Sequence, residues 1–444
     1  MNKTKNIAIV GAGLVGSLLS IYLSKRGFQV SVFERRGDMR KTAEDAGRSI
    51  NLALSTRGIR ALAEVGLAEE IKNVAIPMHG RMMHDQKENL TFLAYGKEGQ
   101  FINSISRSGL NIVLINKAEE KKVDFFFHHK CHQVNFSETS LILQTDDGAL
   151  IQRKFDLIIG ADGAFSAIRS AMQITDRFHY SQQYLEHGYK ELHIPASHAG
   201  GFILEKNALH IWPRESFMMI ALPNPDGSFT CTLFLPFEGE VSFKTLNTDE
   251  EIIFFFQKTF PDAFIHMPTL LHDFKVNPVS SLVTIKCFPW VRNKSLVIGD
   301  AAHGIVPFYG QGMNAGFEDC RILDQLLNQL GDNWLEVLPA FQMARKKDTD
   351  AIAQLAFDNF IEMRDLVADP EFLLRKKIEA KIHAAYPDKW IPLYSMVTFN
   401  DSISYSEAYI MGQKQKIIMD KVMERPRLAE HWQELNLKQI VDQL

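Results

Sequence analysis

What the chain lacks narrows it first. Its 444 residues hold no uninterrupted apolar run of the ~18 residues a membrane span needs. No apolar h-region follows the polar opening Met1-Asn-Lys-Thr-Lys-Asn6, so neither a transmembrane segment nor a secretory signal is expected. Cysteine is sparse: Cys131, Cys231, Cys287 and Cys320 are scattered, with no C-x-x-C pair and no ligand-like histidine spacing. That argues against a disulfide framework or a metal site and fits a reducing, cytoplasmic compartment. Basic charge is not in excess either. The 49 Lys and Arg against 53 Asp and Glu leave a net charge of −4, which gives nucleic acid or an anionic membrane no electrostatic hold. No internal repeat is present. The tail Glu424–Leu444 is polar, with at most one apolar face, suited to docking as a helix.

What is present begins at the N-terminus. Ile7–Val10 is a short apolar, β-branched run, the pattern of a buried parallel strand. Gly11, Gly13 and Gly16 follow as G-x-G-x-x-G: a tight turn, a close backbone approach to a pyrophosphate, and close helix-to-strand packing. The predicted helix Leu14–Arg26 aims its N-terminal amides at that anion. Gly27 stops it, Val30–Phe33 forms a second strand, and Glu34 follows where an acid grips a ribose hydroxyl. A carboxylate there disfavours a 2′-phosphate, so the nucleotide in this site is not expected to be NADP.

Two later stretches repeat the strand-to-turn logic: Phe155–Gly160 before Asp162-Gly163, with Arg169 on the next helix, and Ser295–Ile298 before Gly299-Asp300. Between them, Gly201–Glu205, Ala208–Pro213, Ser216–Leu222 and Ser228–Leu235 are strand-like and separated by turns, which predicts an inserted antiparallel sheet. Gly80–His84 and Leu90–Gly96 read as two more antiparallel strands. Asp45–Arg48 reads as a turn and Ser49–Leu54 as a strand; Ser55 caps a helix to Val65, and Ser108 caps one over Leu110–Glu120. Asp249–Phe260 reads as a helix. Gly310 and Gly312 precede another, to Asn328, with bare amides at its start. From Trp334 onward the chain reads as helical, with long helices over Met343–Asp365 and from Ile417, and a loop-like aromatic stretch over Trp390–Phe399.

In this order and at these separations, the G-x-G-x-x-G with Glu34, the Asp162-Gly163 turn and Gly299-Asp300 resemble the single-component FAD-dependent aromatic hydroxylases. Four longer stretches are similar to the members of that family that hydroxylate L-kynurenine. They are Gly47–Gly58 (G-R-S-I-N-L-A-L-S-T-R-G), His210–Arg214 (H-I-W-P-R), Pro307–Cys320 (P-F-Y-G-Q-G-M-N-A-G-F-E-D-C) and Ile361–Arg364 (I-E-M-R). Tyr309 is a mild variation on the family pattern. The polar tail departs from the hydrophobic anchor of eukaryotic relatives and fits a bacterial, soluble type.

The resemblance implies an α/β architecture: a Rossmann-like FAD-binding domain, an inserted antiparallel-sheet substrate domain and a helical C-terminal region. The expected division is 1–180 (with 75–105 on the substrate side), 181–285, 286–330 and 331–444. It implies FAD as cofactor, in contact with Gly11, Gly13, Val15, Gly16, Glu34, Arg36, Ala53, Arg107, Cys131, Asp162, Asp300, Gly312, Met313 and Asn314. It implies NADPH and O2 as co-substrates, and oxygen transfer through a C4a-hydroperoxyflavin to the 3-position of L-kynurenine, with no side chain as catalytic acid or base. Arg81, Tyr95, Asn359 and Tyr394 are the implied substrate residues. A guanidinium can bond a carboxylate twice, and phenols can donate to the same group while walling an apolar slot. His303 and Glu362 are assigned to packing and local pairing. Competing readings are a sister hydroxylase of another aromatic acid, which need not keep those four residues, and a flavin reductase or non-oxygenating flavoprotein, which would show no substrate-stimulated NADPH oxidation. With no second Rossmann unit, the sequence does not locate NADPH. It leaves the oligomeric state open, a homodimer included.

Overall fold

The computed structural model describes residues 5–41, 51–97, 99–362 and 369–444. The expected turn at Asp45–Arg48, the start of the expected strand at Ser49 and the end of the expected helix at Asp365 lie outside them. The strand Asn6–Val10 pairs in parallel with Gln29–Phe33 on one side and Leu157–Gly160 on the other. Both its faces are covered, so Ile7, Ala8 and Ile9 are fully buried and the run reads as continuously apolar. Asp124–Phe126 extends this six-stranded sheet at one edge, and Ser295–Val297 with Val291–Arg292 at the other. Gly11 has φ +104°, and a Cβ there would stand 2.5 Å from the Ala161 carbonyl oxygen, so only glycine fits the turn.

The second sheet has seven strands, in the order Ser280–Phe288, His179–Ile194, Phe229–Pro236, Phe217–Pro223, Ala208–Arg214, Gly80–His84 and Leu90–Ala94. It is antiparallel except at one junction: Gly80–Met83 runs parallel to Ala208–Ile211. These two strands come from segments far apart in the chain, so no hairpin dictates their direction. The early hairpin is how the first part of the chain contributes Arg81 to the substrate side.

Several local expectations shift. The helix Arg107–Glu120 is capped by Ser106, whose hydroxyl accepts from the Gly109 amide, rather than by Ser108. Ser55 occupies an N-cap position, but its side chain makes no capping bond. The long C-terminal helix is Trp334–Ile361, starting earlier than Met343 because Pro339 lies near its N-terminal end and forfeits only one helical hydrogen bond. Trp390–Phe399 is not all loop: Pro392 ends the extended segment, and Leu393–Thr398 forms a helix that buries Met396 and Val397. The next helix starts at Tyr405, twelve residues before Ile417, where Ser404 and Glu407 form a reciprocal capping box.

A shared apolar cluster joins the parts around the cavity. Met218 and Phe234 from the large sheet pack with Val306 and Tyr309, and with Ile352, Met396, Val397 and Tyr405 of the helical region. The wall of the cavity is thus built from all three regions.

Candidate active site

A cavity of about 620 Å³ opens between the two sheets. Its nucleotide-sheet side is lined by Gly11, Gly13, Val15, Glu34, Arg36, Arg107, Cys131 and Asp162, and its substrate-sheet side by Arg81, Tyr95 and Tyr394. Ala53, Asp300, Gly312 and Met313 belong to the same lining. Residues more than 300 positions apart in sequence therefore face one volume.

The nucleotide side fits a dinucleotide with a polar linker. Space is open where a Cβ of Gly13 would stand, so backbone can approach a ligand there. Glu34 is buried and holds the loop: one oxygen accepts the Ala12 amide at 3.0 Å, the other the Arg36 amide at 3.1 Å and its Nε at 3.0 Å. Asp162 accepts the Ala167 amide at 2.6 Å through Oδ2, while Oδ1 is buried without a partner. Burial pushes this acid above the usual carboxylate range. A buried acceptor left open beside a cavity is what a hydroxyl-bearing ligand completes. The helix Gly312–Leu330 starts at the cavity wall, so its positive end faces the same space.

The substrate side is built on Arg81. The guanidinium lies 4.9 Å from the Tyr394 ring and 5.4 Å from the Tyr95 ring, and those rings stack at 5.4 Å with an interplanar angle of 11°. Arg81 is partly buried and belongs to the cavity lining. Burial opposes its charge, but Tyr394 and Tyr95 outweigh it and hold the group above its ordinary value. No carboxylate pairs with it among the described residues. The Tyr95 hydroxyl is buried without a well-formed hydrogen bond, although Arg81 and Tyr394 are near enough to act on it. Burial raises both phenols, so they are neutral donors. Leu209, Ile211, Met218, Ile220 and Phe234 complete an apolar slot.

Three expected residues do not reach the cavity. Gly16 is a packing position, since a Cβ there would meet the Gly11 carbonyl oxygen at 2.0 Å. Asn314 is fully buried behind the loop: Nδ2 donates to the Ala53 and Gly310 carbonyls at 2.8 and 2.9 Å, and Oδ1 accepts the Ser55 amide at 2.9 Å. Asn359 donates to the Phe308 carbonyl at 2.7 Å, and Phe308 lines the cavity. The lining includes residues that the sequence reading does not name as contacts, Tyr309 among them. Tyr309 stacks on Tyr394 at 5.6 Å, extending the aromatic wall to three tyrosines. Its place in P-F-Y-G-Q-G was the available signal.

Behind the cavity lies a buried ionic network. Asp319 accepts His303 Nε2 at 2.6 Å, Arg345 Nε at 2.7 Å and the Gly299 amide at 3.1 Å, so His303 braces the Gly299-Asp300 turn. Glu318 lies between Arg57 at 2.7 Å and Arg345 at 2.8 Å. Arg57 stacks on Tyr405 at 4.1 Å, and the Tyr405 hydroxyl donates to Gln311 at 2.9 Å, just before Gly312.

Comparison with known proteins agrees with this geometry. Residues 4–330 match the FAD binding domain family. A kynurenine 3-monooxygenase of Christiangramia forsetii is 49% identical over 98% of this chain and 97% of its own. One from Legionella pneumophila is 42% identical (94% and 93%), and one from Anopheles gambiae is 45% identical (94% and 86%). The fold is similar to that of 2-methyl-3-hydroxypyridine-5-carboxylic acid oxygenase, with a TM-score of 0.68 at 20% identity over 83% of this chain and 95% of that one. It is also similar to PqsL of P. aeruginosa, with a TM-score of 0.66 at 17% identity over 81% and 97%.

Proposed function

The chain belongs to the kynurenine 3-monooxygenase family of FAD-dependent aromatic monooxygenases, and from that premise we propose that it hydroxylates L-kynurenine to 3-hydroxy-L-kynurenine with NADPH and O2. The observation that carries the substrate assignment is Arg81: a partly buried guanidinium with no carboxylate partner among the described residues, flanked by two phenols, in the cavity that the glycine loop shares. A substrate with one carboxylate and one aromatic ring completes that arrangement. Arg81 takes the carboxylate, Tyr95 and Tyr394 donate to it, and the ring enters the apolar slot.

Glu34, Arg36, Arg107, Cys131 and Asp162 would hold the adenosine and diphosphate side of FAD, and Asp300, Gly312 and Met313 its ring side. When bound, FAD supplies the redox chemistry that carries electrons from NADPH to O2 and one oxygen atom to the aromatic ring. The chain's own part is position and field. The start of the helix Gly312–Leu330 directs positive potential toward the ring site. The apolar slot keeps water from the reacting carbon, and Arg81 fixes how deep the substrate sits. The aniline nitrogen of kynurenine activates its own ring, so no protein base is required.

The decisive experiment mixes the purified yellow protein with NADPH, air and L-kynurenine. NADPH consumption coupled to 3-hydroxykynurenine is the expected result. NADPH oxidation indifferent to L-kynurenine would sink the assignment.

A further inference from the structure

The hairpin that brings Arg81 to the cavity joins the large sheet through one junction, the parallel pairing of Gly80–Met83 with Ala208–Ile211; its other strand, Leu90–Ala94, is the sheet edge. Arg81 stands opposite Leu209 and Met83 opposite Ile211, and Arg81, Leu209 and Ile211 line the cavity. Side chains alternate along a strand, so His84 and His210 lie on the reverse face. A slip of one residue at this junction would turn Arg81 to that reverse face. No turn links the two strands, so their register is left to the backbone ladder and to the side chains.

The reverse face carries a hydrogen-bonded row. His84 Nδ1 meets Asp262 Oδ2 at 2.6 Å, His84 Nε2 meets His210 Nδ1 at 2.9 Å, and His210 Nε2 meets the Glu205 carbonyl at 2.8 Å. Both histidines are 2% exposed. The acceptors fix the donors. A carbonyl only accepts, so His210 Nε2 carries a proton; burial pushes His210 down to about 4, which leaves its Nδ1 a bare acceptor. His84 Nε2 must then donate. Burial opposes the Asp262 charge, but hydrogen bonds from His84 and Trp212 outweigh it and hold the acid below the usual carboxylate range. His84 Nδ1 therefore donates as well, so His84 gives a proton from each ring nitrogen. Its ring stacks on Trp212 at 4.0 Å. Arg214 Nη1 donates to the His84 carbonyl at 3.0 Å, and Asp85 turns its carboxylate to the Lys87 and Asn89 amides.

We propose that His84, held between Asp262 and His210, is a positioning residue for substrate binding: it locks the register that points Arg81 into the cavity. This rests on the reading that Arg81 takes the carboxylate of L-kynurenine. His84 lies three residues beyond Arg81 on the same strand, and its two directed donors fit one register. Moved by one residue, the ring would face the cavity side and lose both acceptors. The buried charges of the row serve register more than net stability.

The test compares FAD-loaded Asp262→Asn and His84→Gln with the parent. Each should raise the KM for L-kynurenine about ten-fold, with kcat and the NADPH KM within about two-fold. In an Arg81→Met background the same substitutions should add nothing to KM, since they act through the side chain already removed. In the unaltered protein near pH 7.5, where exposed histidines are mostly neutral, 15N spectra of the histidine rings should show one ring protonated at both nitrogens and coupled through one of them to a second ring. A KM unmoved in both variants overturns the proposal, as do effects that add to Arg81→Met, or spectra without such a ring. Loss of FAD loading in both variants would make the row framework and overturn it too. A parent without L-kynurenine-dependent turnover overturns the substrate reading itself, whereas a normal parent with unmoved variants overturns the role of His84 alone.

Discussion

Arg345 is a buried cation and Arg81 a partly buried one, in opposite company. Arg345 meets Asp319 at 2.7 Å, Glu318 at 2.8 Å and Asp348 at 3.4 Å. Arg81 meets two phenol rings and open cavity. Burying a charge costs several kcal/mol unless partners offset it. At Arg345 the protein supplies those partners itself; at Arg81 they are left for a ligand. The same contrast holds for the acids. Asp319 is satisfied three times, whereas Asp162 keeps one buried oxygen open. Saturated polar groups mark framework, and unsaturated ones beside a cavity mark a site.

The contrast breaks most sharply on exchanging each arginine for methionine. Arg345→Met leaves Glu318 with Arg57 and Asp319 with His303 and the Gly299 amide, and should cost about 3–5 kcal/mol in chemical denaturation, with FAD loading lost in proportion. Arg81→Met strands nothing and should change stability by no more than about 1 kcal/mol. A similar loss in both would mean that Arg81 is framework after all. The second effect falls on binding. Arg81→Met should raise the KM for L-kynurenine about 100-fold or more with FAD still bound, since a desolvated carboxylate loses its partner. Normal substrate affinity in that variant would remove the slot from the mechanism.

The nucleotide half was legible because its constraints are local. Gly11, Gly13 and Glu34 act within a single strand–turn–helix–strand unit, where spacing in sequence fixes spacing in space. Arg81, Tyr95 and Tyr394 converge from the early hairpin and from a short helix 300 residues later, and no periodicity could relate them; the family resemblance did. Resemblance names residues without saying what each side chain touches. Asn314 and Asn359 sit next to lining residues in sequence, but their amides brace backbone carbonyls. The pairing of Arg345 with Glu318 and Asp319 was not legible, because a buried ion network has no sequence period.

Titration sharpens the comparison more gently. Burial alone would raise Glu318 and Asp319, but Arg345 with Arg57, and His303 with Arg345, outweigh it and hold both below the usual carboxylate range. Their stabilisation is fully present above the unfolded carboxylate value and is lost as pH falls through the lower folded value. Asp162 has the opposite sign. Its folded value is raised by burial, so its contribution is present below the unfolded value and lost as pH rises through the folded one. In FAD-free protein, Tm should therefore fall on acidification, less steeply in Glu318→Gln than in the parent. Asp162→Asn should raise Tm near neutral pH. Identical acid slopes would place the pH sensitivity elsewhere.

The smallest effect is expected at Tyr309, which lies between the two kinds of site. Its ring belongs to the framework, stacked on Tyr394 within the apolar cluster that ties sheet to helices. Its hydroxyl belongs to the cavity, with no hydrogen bond among the described residues, and burial keeps it neutral by pushing the phenol well above its ordinary value. Tyr309→Phe keeps the ring and removes only the donor. Stability should move by less than about 0.5 kcal/mol. If the hydroxyl bonds the substrate, the KM for L-kynurenine should rise about three- to ten-fold, the worth of one neutral hydrogen bond, with the NADPH KM unmoved. A KM within two-fold of the parent, measured beside unchanged stability, would assign Tyr309 to the framework and shorten the recognition wall to Tyr95 and Tyr394.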